Sequence, residues 1–239
     1  YRNDEPSPTR SAVLVRASHS HIRIGSFQYQ AYHRNTKNIE SLINYTCKNY
    51  FNLSTSHHLE LDFFHEVVDR LAMLAASYTV SGFVHGVLNT DNINITGESF
   101  DYGPYRMLEY YDPEKIAAYF DHSGLYKFGN QADAIFWNIQ QLASIMTIFI
   151  DKDKLIDLLK KYPNLYNKYL IKILFKRLEI VMKSDTENQD LLKVFYELSS
   201  SKKFLYEEVF FDFKNAQLNE NLVNKKYSSY SFLKEFKKF

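Results

Sequence analysis

The sequence predicts an α+β fold that is mainly α-helical, with a mixed first half and a helical second half. Strand and turn patterns are concentrated before residue 133, whereas helix-spaced apolar residues fill almost all of the chain after it. With 239 residues, the chain is long enough to bury a core in one large domain or in two closely packed lobes.

The first half contains both kinds of element. Residues 12–29 mix β-branched and basic side chains, which predicts one or two strands with a break near Gly25. The next predicted elements are two helices, a loop with a hairpin, and a turn-rich segment, at residues 36–51, 59–78, 85–104 and 112–131. Gly82 is the expected stop signal of the second of these helices.

The second half is predicted to be helical almost throughout. Apolar residues at helical spacing place helices near residues 133–150, 152–161, 164–183, 187–200 and 204–217. We therefore expect residues 1–150 to form a catalytic portion and residues 151–239 to form a helical extension that packs on it.

The composition excludes several classes of protein. Basic and acidic residues number 29 and 28, so the charge balance predicts neither a nucleic-acid partner nor an anionic membrane partner. The start is polar and contains prolines, which does not suggest a signal peptide, and polar residues interrupt the most apolar run, residues 134–150. The single cysteine, Cys47, fits a reducing compartment, and we expect a cytoplasmic protein.

The chemistry is concentrated in one segment, His85-Gly-Val-Leu-Asn-Thr-Asp-Asn92, which is followed by Asp101-Tyr-Gly-Pro104. Apolar and polar residues alternate between these motifs around Thr96-Gly97, which predicts a hairpin with a two-residue turn. That register pairs Asn92 with Asp101 and brings an amide oxygen close to a carboxylate. Two such oxygen ligands, together with nucleotide phosphates and water, suit Mg²⁺ or Mn²⁺.

This order of residues is typical of phosphoryl-transfer enzymes. A catalytic loop ends in a metal-binding Asn, a short hairpin follows, and a metal-binding Asp comes next. His85 precedes Asn92 by the spacing of the kinase loop, but Val87 occupies the position of the kinase base, and the acid is Asp91 instead. Each piece alone is also compatible with a capped turn or an ordinary loop, and the joint spacing favours function.

The two motifs resemble the signature of the selenoprotein O (YdiU) family. The resemblance continues through Tyr111-Asp-Pro113, His122-Ser-Gly124, Tyr126-Lys-Phe-Gly-Asn-Gln131, Trp137-Asn138 and Leu142-Ala143, and upstream through residues 12–16 and 20–28. Together these motifs cover residues 5–143, and residues 185–213 are loosely similar to the helical end of the family.

The resemblance implies a protein-kinase-like catalytic lobe that binds ATP in a flipped pose and transfers AMP to Ser, Thr or Tyr hydroxyls of proteins. Some family members transfer UMP with Mn²⁺. Carried over by position, Asp91 would accept the proton, Asn92 and Asp101 would hold Mg²⁺ or Mn²⁺, and Asp101 would also touch the nucleotide. Arg16 and Arg23 would contact the ATP phosphates, which suits the planar guanidinium fork. From spacing alone, both arginines equally fit a solvated strand edge.

The sequence departs from the family in ways that leave alternatives open. It has no equivalent of the small lobe with a glycine-rich loop and a Lys–Glu pair, so we expect that lobe to be missing or separately encoded. Ala117 stands where the family often has Cys, which excludes a redox switch of that type. A non-catalytic remnant or interaction module is one alternative. A small-molecule kinase of the aminoglycoside type is another, and Val87 weakens it.

Overall fold

The computed structural model describes residues 13, 15, 17–53, 57–214 and 220–239, with the side chains of residues 220–222 left aside. Within these residues the fold consists of α-helices and two small antiparallel sheets. The helices are α1 Ile24–Tyr32, α2 Thr36–Thr46, α3 Leu59–Ser81, α4 Gln131–Met146, α5 Lys152–Leu159, α6 Tyr162–Leu178, α7 Asp185–Ser200, α8 Tyr206–Phe213, α9 Glu220–Tyr227 and α10 Ser231–Phe236. The strands are β1 Phe83–Val84, β2 Ile93–Asn94, β3 Glu98–Ser99 and β4 Arg106–Met107. The predicted class, α+β and mainly α, is confirmed.

The long helix α3 organises the interior. Its apolar residues recur at helical spacing, so one broad face is buried against α4 while another lies along α6. Phe63, Val67 and Leu71 belong to a first apolar cluster, whereas Ala76 and Val80 near the end of the helix belong to a second. The helix ends where predicted, because Gly82 adopts a left-handed conformation with φ of 66°.

The second cluster contains most of the C-terminal helices. It is rich in aromatic rings from α7, α8 and α10, and the ring of Phe232 meets those of Phe195 and Phe213 edge-on. Tyr206 of α8 connects this cluster to α3, since its hydroxyl donates to the carbonyls of Thr79 and Val80. In the part of the chain that the structure describes, no helix is long and apolar enough to cross a membrane.

The predicted helices are confirmed, and their ends differ for local reasons. Helix α2 continues through a π-helical turn, Cys47–Phe51, so that the whole predicted range 36–51 is helical. Helix α6 ends at Leu178 rather than near residue 183, because Glu179 is left-handed with φ of 57°. Helix α7 begins earlier than predicted, since Ser184 and Glu187 form a capping box.

The prediction of strands over residues 12–29 is wrong for its second half. Residues 24–32 form helix α1, whose apolar residues Ile24 and Phe27 are buried on one face. Extended backbone is limited to the residues before it, where Arg23 forms an isolated bridge with Asn94. The change from extended to helical backbone coincides with the break that was expected near Gly25.

Two neighbouring residues of α3 test how much stability its buried face contributes. Leu71 is fully buried and Met73 is 41% exposed. We expect Leu71→Ala to lower the free energy of unfolding by about 2–5 kcal/mol, because it removes packed atoms and leaves a cavity. Met73→Ala is the matched control and should change that free energy by less than about 0.5 kcal/mol. Equal effects in urea unfolding would contradict the packing of α3.

Candidate active site

The loop between β1 and β2 runs through the interior and is held by side-chain amides from α4. Gln131 is fully buried; its Nε2 donates to the carbonyl of Phe83 at 2.8 Å, and its Oε1 accepts from the N–H of His85 at 2.8 Å. About two turns further along α4, the buried Asn138 donates to the carbonyl of Leu88 at 2.7 Å. These contacts satisfy backbone groups that have no regular secondary-structure partner.

The hairpin that follows this loop is present, but its predicted register is wrong. Ile93 pairs with Ser99 and Asn94 with Glu98, so the connection has three residues rather than two. The N–H of Gly97 closes a turn onto the carbonyl of Asn94 at 3.1 Å, and Gly97 itself is left-handed with φ of 85°. A turn followed by a left-handed glycine is the usual geometry of three-residue hairpin loops.

The corrected register places Asn92 opposite Phe100 rather than opposite Asp101. The N–H of Phe100 donates to the carbonyl of Asn92 at 2.9 Å, and Asp101 follows one residue later. The Nδ2 of Asn92 donates to the carbonyl of Val87 at 3.0 Å. One carboxylate oxygen of Asp101 accepts from the N–H of Gly103 at 3.0 Å.

His85 joins the loop to the hairpin from within the core. Its Nε2 lies 2.6 Å from the hydroxyl of Ser99, which in turn donates to the carbonyl of Asp101 at 2.6 Å. The Nδ1 of His85 accepts from the N–H of Val87, so the hydrogen bonds assign the proton to Nε2. Burial lowers the pKa of His85 to about 4, against a smaller opposing effect from the carbonyl of Asp101. The imidazole is therefore a neutral structural link.

Arg23 and Asp91 lie side by side at the surface. The guanidinium Nη1 of Arg23 is 3.4 Å from the Oδ1 of Asp91, and Arg23 also lies over the ring of Phe100 at 4.6 Å. The backbone brings them together, because the N–H of Gly25 donates to the carbonyl of Thr90 at 2.8 Å. A Cβ on Gly25 would lie 2.2 Å from the Oδ1 of Asp91, so a larger residue here would displace the carboxylate of Asp91 from its present position.

A cavity of about 360 Å³ opens beside this pair. It is lined by the N-terminal turns of α1 and by the end of the loop between β1 and β2, through Arg23, Gly25, Ser26, Tyr29, Gln30 and Asp91. The cavity therefore borders both the predicted proton acceptor and one of the predicted phosphate ligands.

Four of the five predicted site residues thus lie at the hairpin formed by β2 and β3 or in the segments next to it. Arg23 contacts Asp91, while Asn92 and Asp101 flank the strands of the hairpin. Arg16 lies outside the described residues.

Sequence reasoning did not assign the supporting residues Gln131 and Asn138. The signal available for them was an amide on the apolar face of a predicted helix, since buried polar groups are almost always hydrogen-bonded. The close approach of Gly25 to Asp91 gives no comparable signal, because it depends on two segments that are distant in sequence.

The predicted ligands at the hairpin are side chains of the kinds that bind divalent cations. No group of three or more His, Cys, Asp or Glu side chains in the described ranges could form a metal site by itself. The predicted ligands are instead one amide and one carboxylate, and Mg²⁺ commonly uses one or two protein carboxylates together with substrate phosphates and water. Asn92 and Asp101 are donors of that chemical kind, and the hairpin register does not place them directly opposite each other.

Comparison with known proteins identifies the family. The family model described as "Protein adenylyltransferase SelO" matches residues 1–237. The chain belongs to the SelO family. It is 43% identical over 186 residues to the "Protein nucleotidyltransferase YdiU" of Synechocystis sp., which covers 75% of this chain and 39% of the relative. The proteins of the same description from Trichodesmium erythraeum and Clostridium perfringens are 35% and 34% identical, covering 90% and 77% of this chain and 47% and 38% of the relatives. The chain therefore spans about two fifths to half the length of these SelO-family relatives.

The neutral, buried state of His85 predicts a pH dependence of stability. The unfolded chain binds a proton at this histidine below its ordinary pKa of 6.5, whereas the folded protein does so only near pH 4. Unfolding therefore takes up a proton in this window, and stability falls as the pH decreases through it. We expect a loss of about 2 kcal/mol between about pH 7 and about pH 5, measured by urea unfolding.

The control for this prediction is a second histidine at the surface. His85→Gln removes the titrating group and should flatten the pH dependence, whereas the exposed His57→Gln should retain it. The same slope in His85→Gln as in the unchanged protein would show that His85 is not the group responsible.

Gln131 offers a test of how the loop between β1 and β2 is held in place. Gln131→Leu leaves the carbonyl of Phe83 and the N–H of His85 without their buried partner. We expect a loss of about 2–4 kcal/mol in the free energy of unfolding, since each unpaired buried group costs about 1–3 kcal/mol. Gln140→Leu, at an exposed position of the same helix, is the control. Similar stabilities of the two variants would contradict the role of Gln131.

Proposed function

We propose that this chain is the catalytic-lobe part of an enzyme that transfers AMP from ATP to Ser, Thr or Tyr hydroxyls of proteins. Membership of the SelO family supports nucleotidyl transfer, as do relatives described as protein nucleotidyltransferases. The observation that carries the proposal is the contact between Arg23 and Asp91 beside the hairpin that bears Asn92 and Asp101. It joins a phosphate-binding side chain to a proton acceptor.

The proposal includes a kinase-like fold with its site in residues 1–150 and a helical extension in residues 151–239. The first apolar cluster supports this arrangement, because its buried members include Leu88 of the loop and Ile93 and Ile95 of the hairpin. The second cluster draws mainly on residues beyond 170, together with the end of α3 and the neighbouring strand β1. The extension would thus support the site from behind without contributing to it.

In the proposed reaction, Asp91 accepts the proton of the acceptor hydroxyl as its oxygen attacks the α-phosphorus of ATP. A new phosphorus–oxygen ester bond forms, the bond between the α- and β-phosphates breaks, and pyrophosphate leaves. The side chain of Asp91 is 64% exposed, which leaves it accessible to a hydroxyl on another protein. A base within hydrogen-bonding reach of the hydroxyl typically contributes about 10²–10⁴-fold to the rate.

The remaining side chains would bind the phosphates. Arg23, and Arg16 outside the described residues, would pair with phosphate oxygens through the guanidinium fork. Asn92 and Asp101 would hold Mg²⁺ or Mn²⁺, with Asp101 also touching the nucleotide. The metal would neutralise phosphate charge in the transition state. UMP transfer from UTP would use the same groups.

The proposed partners are ATP and hydroxyl-bearing proteins, with no nucleic acid and no membrane. The near balance of 29 basic and 28 acidic residues supports this choice over a polyanionic partner. A cytoplasmic location is part of the same proposal, and the single cysteine supports a reducing compartment.

One observation favours a second candidate, a non-catalytic remnant or interaction module. The hairpin register places Asn92 opposite Phe100 rather than opposite Asp101, so the two proposed metal ligands are not directly paired. Metal-dependent binding of ATP separates the two candidates. Calorimetry on the folded chain should detect ATP with Mn²⁺ if the site is competent, and no binding by an intact fold would favour the remnant.

The transfer reaction is tested with labelled ATP, with the chain expressed together with the upstream lobe that the family resemblance implies. Label should reach protein from α-labelled ATP, and label arriving only from γ-labelled ATP would indicate a kinase instead. Asp91→Asn should lower transfer by at least about 100-fold while ATP still binds, because only the proton acceptor is removed. The exposed Asp153→Asn on α5 is the control and should leave transfer unchanged.

A further inference from the structure

The carboxylate of Glu98 on β3 forms hydrogen bonds with polar groups of the segment that precedes α1. Its Oε2 accepts from the hydroxyl of Ser18 at 2.7 Å and from the N–H of His19 at 3.3 Å. Its Oε1 lies 2.5 Å from the Nδ1 of His19. One side chain on the hairpin thus contacts two consecutive residues that are about eighty positions away in sequence.

The same segment continues along the edge of the hairpin. The Nδ2 of Asn94, which is fully buried, donates to the carbonyl of Ser20 at 2.7 Å. The N–H of Ile95 donates to the carbonyl of Ile22 at 3.0 Å, and Arg23 bridges Asn94. We call residues 18–23 the docked segment, since these contacts place it beside β2.

The docked segment leads directly into the proposed site. Its last residue, Arg23, contacts Asp91 at 3.4 Å, and Arg16 lies two residues before its first residue. Any movement of this segment away from the hairpin would therefore move Arg23 relative to Asp91 and to the hairpin that bears Asp101.

We propose that Glu98 is a positioning residue that fixes the docked segment on the hairpin, so that Arg23 is aligned for nucleotide phosphates. The part of this inference that concerns nucleotide rests on the proposed function. The fixing of the segment does not, because it is a property of the folded chain alone.

The hydrogen bonds of Glu98 to Ser18 and His19 are strong enough to support this positioning role. Backbone pairing between the docked segment and the hairpin consists of the Ile22–Ile95 bond and the bridge at Arg23, and strands this short pair weakly by themselves. The carboxylate acts at the opposite end, where hydrogen bonds to a charged group are stronger than neutral ones. Partial burial of Glu98 disfavours its charge, yet the hydrogen bonds from His19 and Ser18 lower the pKa of its carboxyl.

The test compares Glu98→Leu and Glu98→Gln with Glu114→Gln, which breaks an ion pair with Lys127 away from the docked segment. Hydrogen–deuterium exchange is measured on peptides that cover residues 17–23, the hairpin and α3. ATP affinity with Mn²⁺ is measured by calorimetry on the same proteins. Leucine removes every polar contact of residue 98, whereas glutamine keeps an oxygen that can accept from Ser18.

We expect Glu98→Leu to speed exchange in residues 17–23 by about tenfold or more, while α3 remains protected, because the lost contacts involve a charged group. ATP affinity should fall by about tenfold, with Glu98→Gln intermediate and Glu114→Gln unchanged. Exchange in residues 17–23 within about twofold of the unchanged protein would overturn the inference, as would an equal increase throughout α3.

The two arms separate this inference from the proposed function. If the unchanged protein binds no ATP but Glu98→Leu releases residues 17–23, the proposed function fails and the fixing role of Glu98 stands. If ATP binds and Glu98→Leu alters neither local exchange nor affinity, the proposed function stands and the role of Glu98 is rejected.

Discussion

The candidate site depends on how the backbone N–H and carbonyl groups of an irregular loop find hydrogen-bond partners inside the protein. The backbone between β1 and β2 has few regular partners, and a buried N–H or carbonyl without a partner costs about 1–3 kcal/mol. Two buried amides on α4 supply the missing partners: Gln131 bonds the backbone on both sides of Val84, and Asn138 bonds Leu88. The loop can therefore leave the interior at a defined place and present Asp91 and Asn92 at the surface. The position of the candidate site thus depends on α4, whose Gln131 and Asn138 hold the loop backbone.

The helical part of the fold was predictable because its signal is local. Apolar spacing in α3 and the stop at Gly82 are contained in one stretch of sequence, and the structure agrees with both. The capping box of Ser184 and Glu187 is equally local, and it marks the start of α7 more accurately than the apolar pattern does. Errors at helix ends therefore reflect cap residues that outweigh the apolar pattern.

The two errors near the site have a different origin. The alternation His21-Ile22-Arg23-Ile24 has the period of a strand, yet the chain becomes helical at Ile24 once Ile22 and Arg23 have paired with the hairpin. The hairpin register changed because Gly97 adopts a left-handed conformation in a three-residue loop. Both outcomes depend on contacts between distant segments, which a reading of local periodicity does not include. The existence of the hairpin was predictable, and its exact pairing was not.

The candidate site combines buried side chains that are fixed in place with a surface ion pair that a ligand can replace. His85, Gln131 and Asn138 are completely buried, so displacing them would leave polar groups unsatisfied. The Arg23–Asp91 contact joins side chains that are 35% and 64% exposed, and such surface pairs contribute only about 0–1 kcal/mol. A phosphate could therefore take the guanidinium at little cost to the fold, while Asp91 would stay in place because the backbone of Thr90 remains bonded to Gly25. This division between fixed and exchangeable contacts is what a site needs when its ligand must displace one of the site's own interactions.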